Sequence, residues 1–125
     1  MPKRILIIDD EQDMRVYLAT LFETAGYETV TAPNGIEGLE QARDLHPDLI
    51  TLDIMMPRRS GVRTYTELRS DAKTCDIPVI ILTGLSRQED FIGADLGDLA
   101  RPDAVVEKPI ERKSFLATVG GLLGG

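Results

Sequence analysis

The sequence predicts an α/β fold, a doubly wound parallel sheet of five strands joined by five helices in a single domain. Three observations carry this. Short apolar runs alternate with longer stretches of helical period, the pattern of parallel strands linked by crossover helices. Four of the five runs are almost wholly apolar, as strands covered on both faces must be. A chain of 125 residues, 42% of them apolar, has the size of one domain with a proper core and leaves no room for two.

The first strand is Arg4 to Ile8. A helix follows on which Met14, Tyr17, Leu18, Leu21, Phe22 and Ala25 recur with the spacing of one face, and Gly26 stops it. Glu28 to Thr31 is mixed in polarity, which puts this second strand at a sheet edge. Asn34 and Glu37 have capping-box spacing and open the second helix, whose apolar face carries Ile36, Leu39 and Leu45. Leu49 to Leu52 is the third strand; Ser60 then caps a helix with Val62, Tyr65 and Leu68 inward. Val79 to Leu82 is the fourth strand. Ser86 and Glu89 repeat the capping-box spacing before a fourth helix, in which Gly93 and Gly97 each cost about 1 kcal/mol relative to Ala. Ala104 to Val106 is the fifth strand, and Phe115, Leu116, Val119, Leu122 and Leu123 form the face of the last helix. No linker, repeat or low-complexity segment divides the chain, so the expectation is one domain over residues 1–125 with no output domain.

Fourteen Lys plus Arg against 21 Asp plus Glu leave a formal charge of −7, which argues against a nucleic-acid surface and against attraction to anionic lipid. An acidic chain does attract cations. The lone Cys75 excludes an internal disulfide or a multi-cysteine metal site, suits a reducing compartment, and reads as a small half-buried apolar residue. No apolar run approaches the roughly 20 residues that span a bilayer, and Met1-Pro2-Lys3-Arg4-Ile5 is too brief an apolar start for a signal peptide. The expected location is cytoplasmic.

Function is legible where the strands end. Asp9 and Asp10 follow the first strand, Asp53 the third, Thr83 the fourth, and Lys108 the fifth after one intervening Glu107. In an open parallel sheet, ligands bind outside the carboxyl ends of the strands, so these residues arrive at one end. Three carboxylates gathered there repel one another unless protonated or bridged by a cation. Mg²⁺ suits oxygen ligands in a site this small; Ca²⁺ wants more of them, and Zn²⁺ wants Cys or His. With a lysine ammonium and a threonine hydroxyl added, the site can neutralise and hydrogen-bond a phosphoryl group in transfer. Asp53 is the candidate nucleophile because it stands alone, whereas Asp9 and Asp10 form a pair suited to the metal.

Each residue has a plainer reading. Asp9 and Asp10 can favour a helix N-terminus, Asp10 with Asp13 at near capping-box spacing; Asp53 can form a turn, Thr83-Gly84 a loop, and Lys108 a solvated charge. Their shared location argues against five coincidences. His46 reads as a helix-end cap rather than a phosphate carrier, and Arg58 and Arg59 as a solvated loop.

Taken as Asp9-Asp10-Glu11, Asp53-Ile54-Met55-Met56-Pro57 with Gly61, Thr83-Gly84 and Lys108-Pro109, these residues resemble the signature of response-regulator receiver domains of two-component signalling, in the chemotaxis-regulator-like single-domain form. The likeness spans essentially the whole chain. It implies a flavodoxin-like sheet of order 2-1-3-4-5. It also implies that Asp53 is phosphorylated by a sensor histidine kinase, a histidine phosphotransfer protein or a small phosphodonor. Mg²⁺ would be held by Asp10, Asp53 and the backbone carbonyl of Met55, with Asp9 acting through water. Thr83 would move to the phosphoryl group, Lys108 would pair with it, and Gly84 would leave it accessible. Met55 and Leu85 lie where relatives tune dephosphorylation, and Lys108-Pro109 is expected to be cis. Such a domain catalyses only its own phosphorylation and dephosphorylation, and switches binding of a downstream protein.

Two features depart from the pattern. Val105 stands where many relatives carry the Tyr or Phe that rotates with the threonine, and residues 93–102 are longer and richer in glycine than usual, which predicts an altered fourth helix. Rival readings are a pseudo-receiver that binds partners without phosphorylation and a haloacid-dehalogenase-type phosphatase. The second places its nucleophile after the first strand, with two acids separated by one residue, unlike the adjacent Asp9 and Asp10. A nucleotide-binding domain ranks lower, because Ile8-Asp9-Asp10-Glu11 stands where a glycine-rich phosphate loop belongs.

Overall fold

The computed structural model describes residues 2–54, 60–84 and 102–124. Their elements run β1 (Arg4–Ile8), α1 (Gln12–Thr24), β2 (Glu28–Ala32), α2 (Gly35–Leu45), β3 (Leu49–Asp53), α3 (Ser60–Ser70), β4 (Val79–Thr83), β5 (Ala104–Glu107) and α4 (Arg112–Leu122). The helix expected after Ser86, with Glu89, Gly93 and Gly97, lies outside the described residues, as do Met55, Arg58, Arg59 and Leu85. The five strands are all parallel in the order β2-β1-β3-β4-β5, with the mixed strand at one edge.

Alternation along the strands builds two cores, one on each face of the sheet. Leu6, Ile8, Ile50, Leu52, Val79 and Ile81 meet Leu39 and Ala42 of α2 and Tyr65 and Leu68 of α3. Ile5, Ile7, Leu49, Ile80 and Leu82 meet Leu18 and Phe22 of α1 and Phe115 and Val119 of α4. The rings of Phe22 and Phe115 lie 5.6 Å apart, joining the two helices of that face. Helices on both sides of a parallel sheet make the fold doubly wound, as expected.

The strands differ from expectation at their ends. β2, β3, β4 and β5 each run one residue further, through Ala32, Asp53, Thr83 and Glu107. Hydropathy marks where apolar side chains stop, whereas the ladder follows the main chain. Ile54 N–H still donates to Leu82 O at 2.9 Å, and Lys108 N–H to Thr83 O at 2.8 Å. Asp53 and Thr83 are therefore held by the sheet itself rather than by loops behind it.

Two helix faces and several caps also need correction. Ile36 is 75% exposed and Leu45 is exposed, because the buried stripe of α2 is Gly35, Gly38, Leu39 and Ala42. The helix lies so close to β1 that a Cβ at Gly38 would stand 2.5 Å from Ile8 Cδ1, and a search for large apolar residues misses such a stripe. On α1 the buried pair is Leu18 and Phe22, leaving Tyr17 and Ala25 exposed. The cap of α1 is Glu11 rather than Asp10 and makes no side-chain cap bond; Ser60 is the first helical residue of α3, not its cap. Asn34 does cap α2, accepting Glu37 N–H at 2.9 Å. His46 ends α2 at φ 44°, with its ring 3.2 Å from Asp76 Oδ1 rather than on the helix carbonyls. Cys75 is exposed; the buried place beside it belongs to Thr74, whose hydroxyl donates to Leu68 O at 2.6 Å.

Candidate functional site

The carboxyl ends of β1, β3 and β5 supply one polar cluster. Asp9 continues the chain just past the end of β1, its N–H donating to Ala32 O at 3.1 Å. Its side chain is fully buried, with Oδ1 accepting Glu11 N–H at 2.9 Å. Asp9 Oδ2 is buried without a hydrogen-bond partner among the described residues. Asp53, on the next strand, is also buried. The Lys108 ammonium lies 3.5 Å from Asp53 Oδ2 and 3.9 Å from Asp9 Oδ2, linking both acids to the far side of the site. The Lys108-Pro109 peptide is cis, as the resemblance implied.

Asp10 and Glu11 bring two exposed carboxylates to the buried pair, and one oxygen from each of the four residues lies within 4.8 Å of the others. Four carboxylates against one ammonium leave a net charge of three minus when all are ionised. The consequence is visible at Asp9, whose pKa is pushed up to about 6. Burial is the main cause, with the charges of Asp53 and Asp10 adding to it and the Glu11 N–H and Lys108 opposing. An all-oxygen donor set carrying excess negative charge, with a buried oxygen that accepts no hydrogen bond from the described residues, fits a hard divalent cation. Thr83 ends β4, the strand between β3 and β5; it is buried, and its hydroxyl donates to Gly84 O at 3.3 Å.

The structure thus brings Asp9, Asp10, Asp53 and Lys108 together and sets Thr83 at the same sheet end, while Met55 lies outside the described residues. Reasoning from sequence gave no separate role to Glu11 or to Arg15, whose guanidinium donates to the carbonyl of Asp9 at 2.8 Å. A signal was available. Residue 15 lies four positions after the α1 cap, and helical side chains lean back over the preceding turn.

Gly61 is the other residue on which the geometry depends. A Cβ there would stand 2.5 Å from Ile54 Cα, 2.8 Å from Ile54 O and 2.9 Å from Asp53 O. All three are main-chain atoms, so no rotamer change relieves the contact. Either α3, anchored by Tyr65 and Leu68, or the chain leaving Asp53 must move. Gly61→Ala is expected to destabilise the protein by about 1–3 kcal/mol, the usual cost of overpacking, read as a lower urea midpoint at unchanged m-value. Gly121→Ala in α4, where a Cβ meets nothing within 4 Å, is the control and should not destabilise. Equal midpoints for Gly61→Ala and the parent protein would show that this close approach carries no energetic weight.

Among the described residues no helix is long and apolar enough to cross a membrane. A family model described as the response regulator receiver domain matches residues 5–120. The chain is 41% identical over 121 residues to the DNA-binding dual master transcriptional regulator RpaA of Synechocystis, covering 96% of this chain and 48% of that protein. It is 35% identical over 124 residues to the polar-differentiation response regulator DivK of Brucella anthropi, covering 99% and 98%. It therefore spans about half the length of RpaA and nearly all of DivK. Among solved structures it is similar to the receiver domain of a signal transduction histidine kinase from Syntrophus aciditrophicus, with 31% identity, a TM-score of 0.84, and coverage of 98% and 91%. A putative response regulator from Chloroflexus aurantiacus gives a TM-score of 0.86 at 25% identity, covering both chains fully. Family match, strand order and relatives along nearly the whole chain agree: this protein belongs to the response regulator receiver domains of two-component signalling.

Proposed function

We propose that this receiver domain accepts a phosphoryl group on Asp53 from the phosphohistidine of a histidine kinase or histidine phosphotransfer protein, in a Mg²⁺-dependent step, and thereby switches its binding of a downstream protein. The observation that carries the reading is the buried Asp53 carboxylate, 3.5 Å from the Lys108 ammonium and inside a cluster of four acids. A carboxylate oxygen attacks phosphorus, the P–N bond breaks with its electron pair going to the imidazole, and an acyl phosphate remains. Asp9, Asp10, Asp53 and the main-chain carbonyl of Met55 would hold the Mg²⁺. When bound, that ion supplies positive charge to the phosphoryl oxygens and to the crowded carboxylates.

Lys108, 3.5 Å from Asp53 Oδ2, supplies a further positive charge and balances the phosphoryl oxygens as transfer proceeds. The Thr83 hydroxyl, whose present bond to Gly84 O is long at 3.3 Å, exchanges that acceptor for a phosphoryl oxygen. Val105 is packed half-buried against the core below α2 and α3, so no aromatic ring at that position follows Thr83. The readout then rests on main-chain movement around Thr83 and Gly84. Because Asp53 is modified rather than turning over a substrate, the domain signals instead of acting as a conventional enzyme.

The test is incubation with acetyl phosphate, with and without Mg²⁺, followed by intact mass measurement. A Mg²⁺-dependent gain of one phosphoryl group is expected. No gain under any condition would make the protein a phosphorylation-independent binding module, and sustained hydrolysis of an added phosphomonoester would make it a phosphatase.

A further inference from the structure

The half-buried Arg15 of α1 donates from Nη1 to the main-chain carbonyl of Asp9 at 2.8 Å. It therefore grips the chain where β1 gives way to α1. Three bonds hold Asp9 at this junction. Its N–H goes to Ala32 O, its carbonyl receives Arg15, and its Oδ1 receives Glu11 N–H. With these made, Oδ2 is left for the site, facing Lys108 at 3.9 Å. The next residue is Asp10, whose carboxylate joins the same cluster. The bend of chain that sets both acids is thus fixed from the helix side by one guanidinium.

We propose that Arg15 is a positioning residue of the cation site, holding Asp9 and Asp10 in their binding geometry through the Asp9 carbonyl. This rests on the reading of the acidic cluster as a Mg²⁺ site, and not on phosphorylation of Asp53. Partners that orient metal ligands from outside the coordination sphere commonly contribute about 10- to 100-fold to metal affinity. Arg15 has that relation to Asp9, with the difference that it acts on main chain rather than on the ligating group.

The sign of the effect separates this role from a purely electrostatic one. A guanidinium beside a cation site repels the cation, so deleting it as a mere charge tightens Mg²⁺ binding. Deleting it as an anchor loosens the bend and weakens binding. The two accounts predict opposite changes in one measured constant.

The experiment is calorimetric titration with Mg²⁺ alone on the parent protein, Arg15→Ala, Arg15→Lys and the control Arg63→Ala. Arg63 is an exposed α3 residue paired with Glu67. Arg15→Ala is expected to raise the Mg²⁺ Kd by about tenfold, and Arg15→Lys, which keeps a charged donor, to recover most of that loss. Amide exchange in metal-free Arg15→Ala should also be faster at Glu11, the donor to Asp9 Oδ1. Should Arg15→Ala fail to fold, Arg15→Gln is read in its place by the same criterion. A Kd unchanged or lowered on loss of Arg15 overturns the proposal, and so does lost thermal stability with an unchanged Kd. A parent protein that binds no Mg²⁺ overturns it together with the metal reading. Mg²⁺ binding that responds to Arg15 in a protein never phosphorylated on Asp53 supports it while overturning the phosphoacceptor reading alone.

Discussion

Asp53→Asn is expected to abolish the Mg²⁺-dependent gain of a phosphoryl group from acetyl phosphate while leaving the protein folded. The amide has the shape of the carboxylate, so the end of β3 keeps its ladder bonds and its place beside Leu82. Its oxygen lacks the charge that makes a carboxylate nucleophilic, and no acyl phosphate can form on it. The neighbouring acids are not equivalent substitutes. Asp9 has Oδ1 tied to Glu11 N–H, and Asp10 and Glu11 lie on the exposed side of the cluster. Initial labelling followed by intact mass should therefore fall by at least about 100-fold, the scale on which loss of a group acting directly in chemistry is felt. Mg²⁺ binding should weaken without vanishing, since Asp9 and Asp10 remain. Undiminished labelling would place the phosphoacceptor elsewhere, and peptide mapping would then locate it.

Asp53 and its neighbours were legible in the sequence because an ionisable side chain directly after an apolar run gains nothing from burial and marks the carboxyl end of a strand, where ligands bind. Their position at strand ends assigns them to one site without any distance. The strand bounds fell one residue short because the backbone ladder continues under the polar side chains of Asp53 and Thr83. Ile36 and Leu45 were assigned to the wrong side of α2 because the helix approaches β1 through glycine and alanine, which carry almost no hydropathic signal. Arg15 was missed for another reason. It acts on a main-chain carbonyl, and every residue has one. The same applies to Arg69, whose nearly buried side chain reaches Ile77 O at 2.7 Å and Asp103 Oδ2 at 3.0 Å, tying α3 to the starts of β4 and β5. Periodicity shows which side of a helix is apolar, but not which acceptors its long polar side chains will meet.

The cluster that suits the protein to a cation also weighs against its own stability when no cation is bound, and Asp9→Asn should reveal how strongly. Asp9 is fully buried, its Oδ2 has no hydrogen-bond partner among the described residues, and its pKa rises from 3.8 to about 6, chiefly through burial and then through the charges of Asp53 and Asp10. A carboxyl with a higher pKa folded than unfolded favours the fold while protonated. That contribution is complete below the unfolded value of 3.8 and is lost as pH rises through about 6. At neutral pH, ionised Asp9 therefore costs on the order of 2–3 kcal/mol relative to its neutral form, at about 1.4 kcal/mol for each pKa unit. Asparagine imitates the neutral form. In EDTA, Asp9→Asn should raise the unfolding free energy read from urea titration by that amount near neutrality, and the gap should close as pH is lowered toward 4. Saturating Mg²⁺ should narrow the gap from the other side. It stabilises the parent by about 2.7 kcal/mol when present at 100 times its Kd, and stabilises a variant lacking one site carboxylate less. A gap that stays constant across pH would show that burial of the Asp9 charge is not its source. A gap present only without the cation would mean that the strain relieved at Asp9 is part of what Mg²⁺ binding gains.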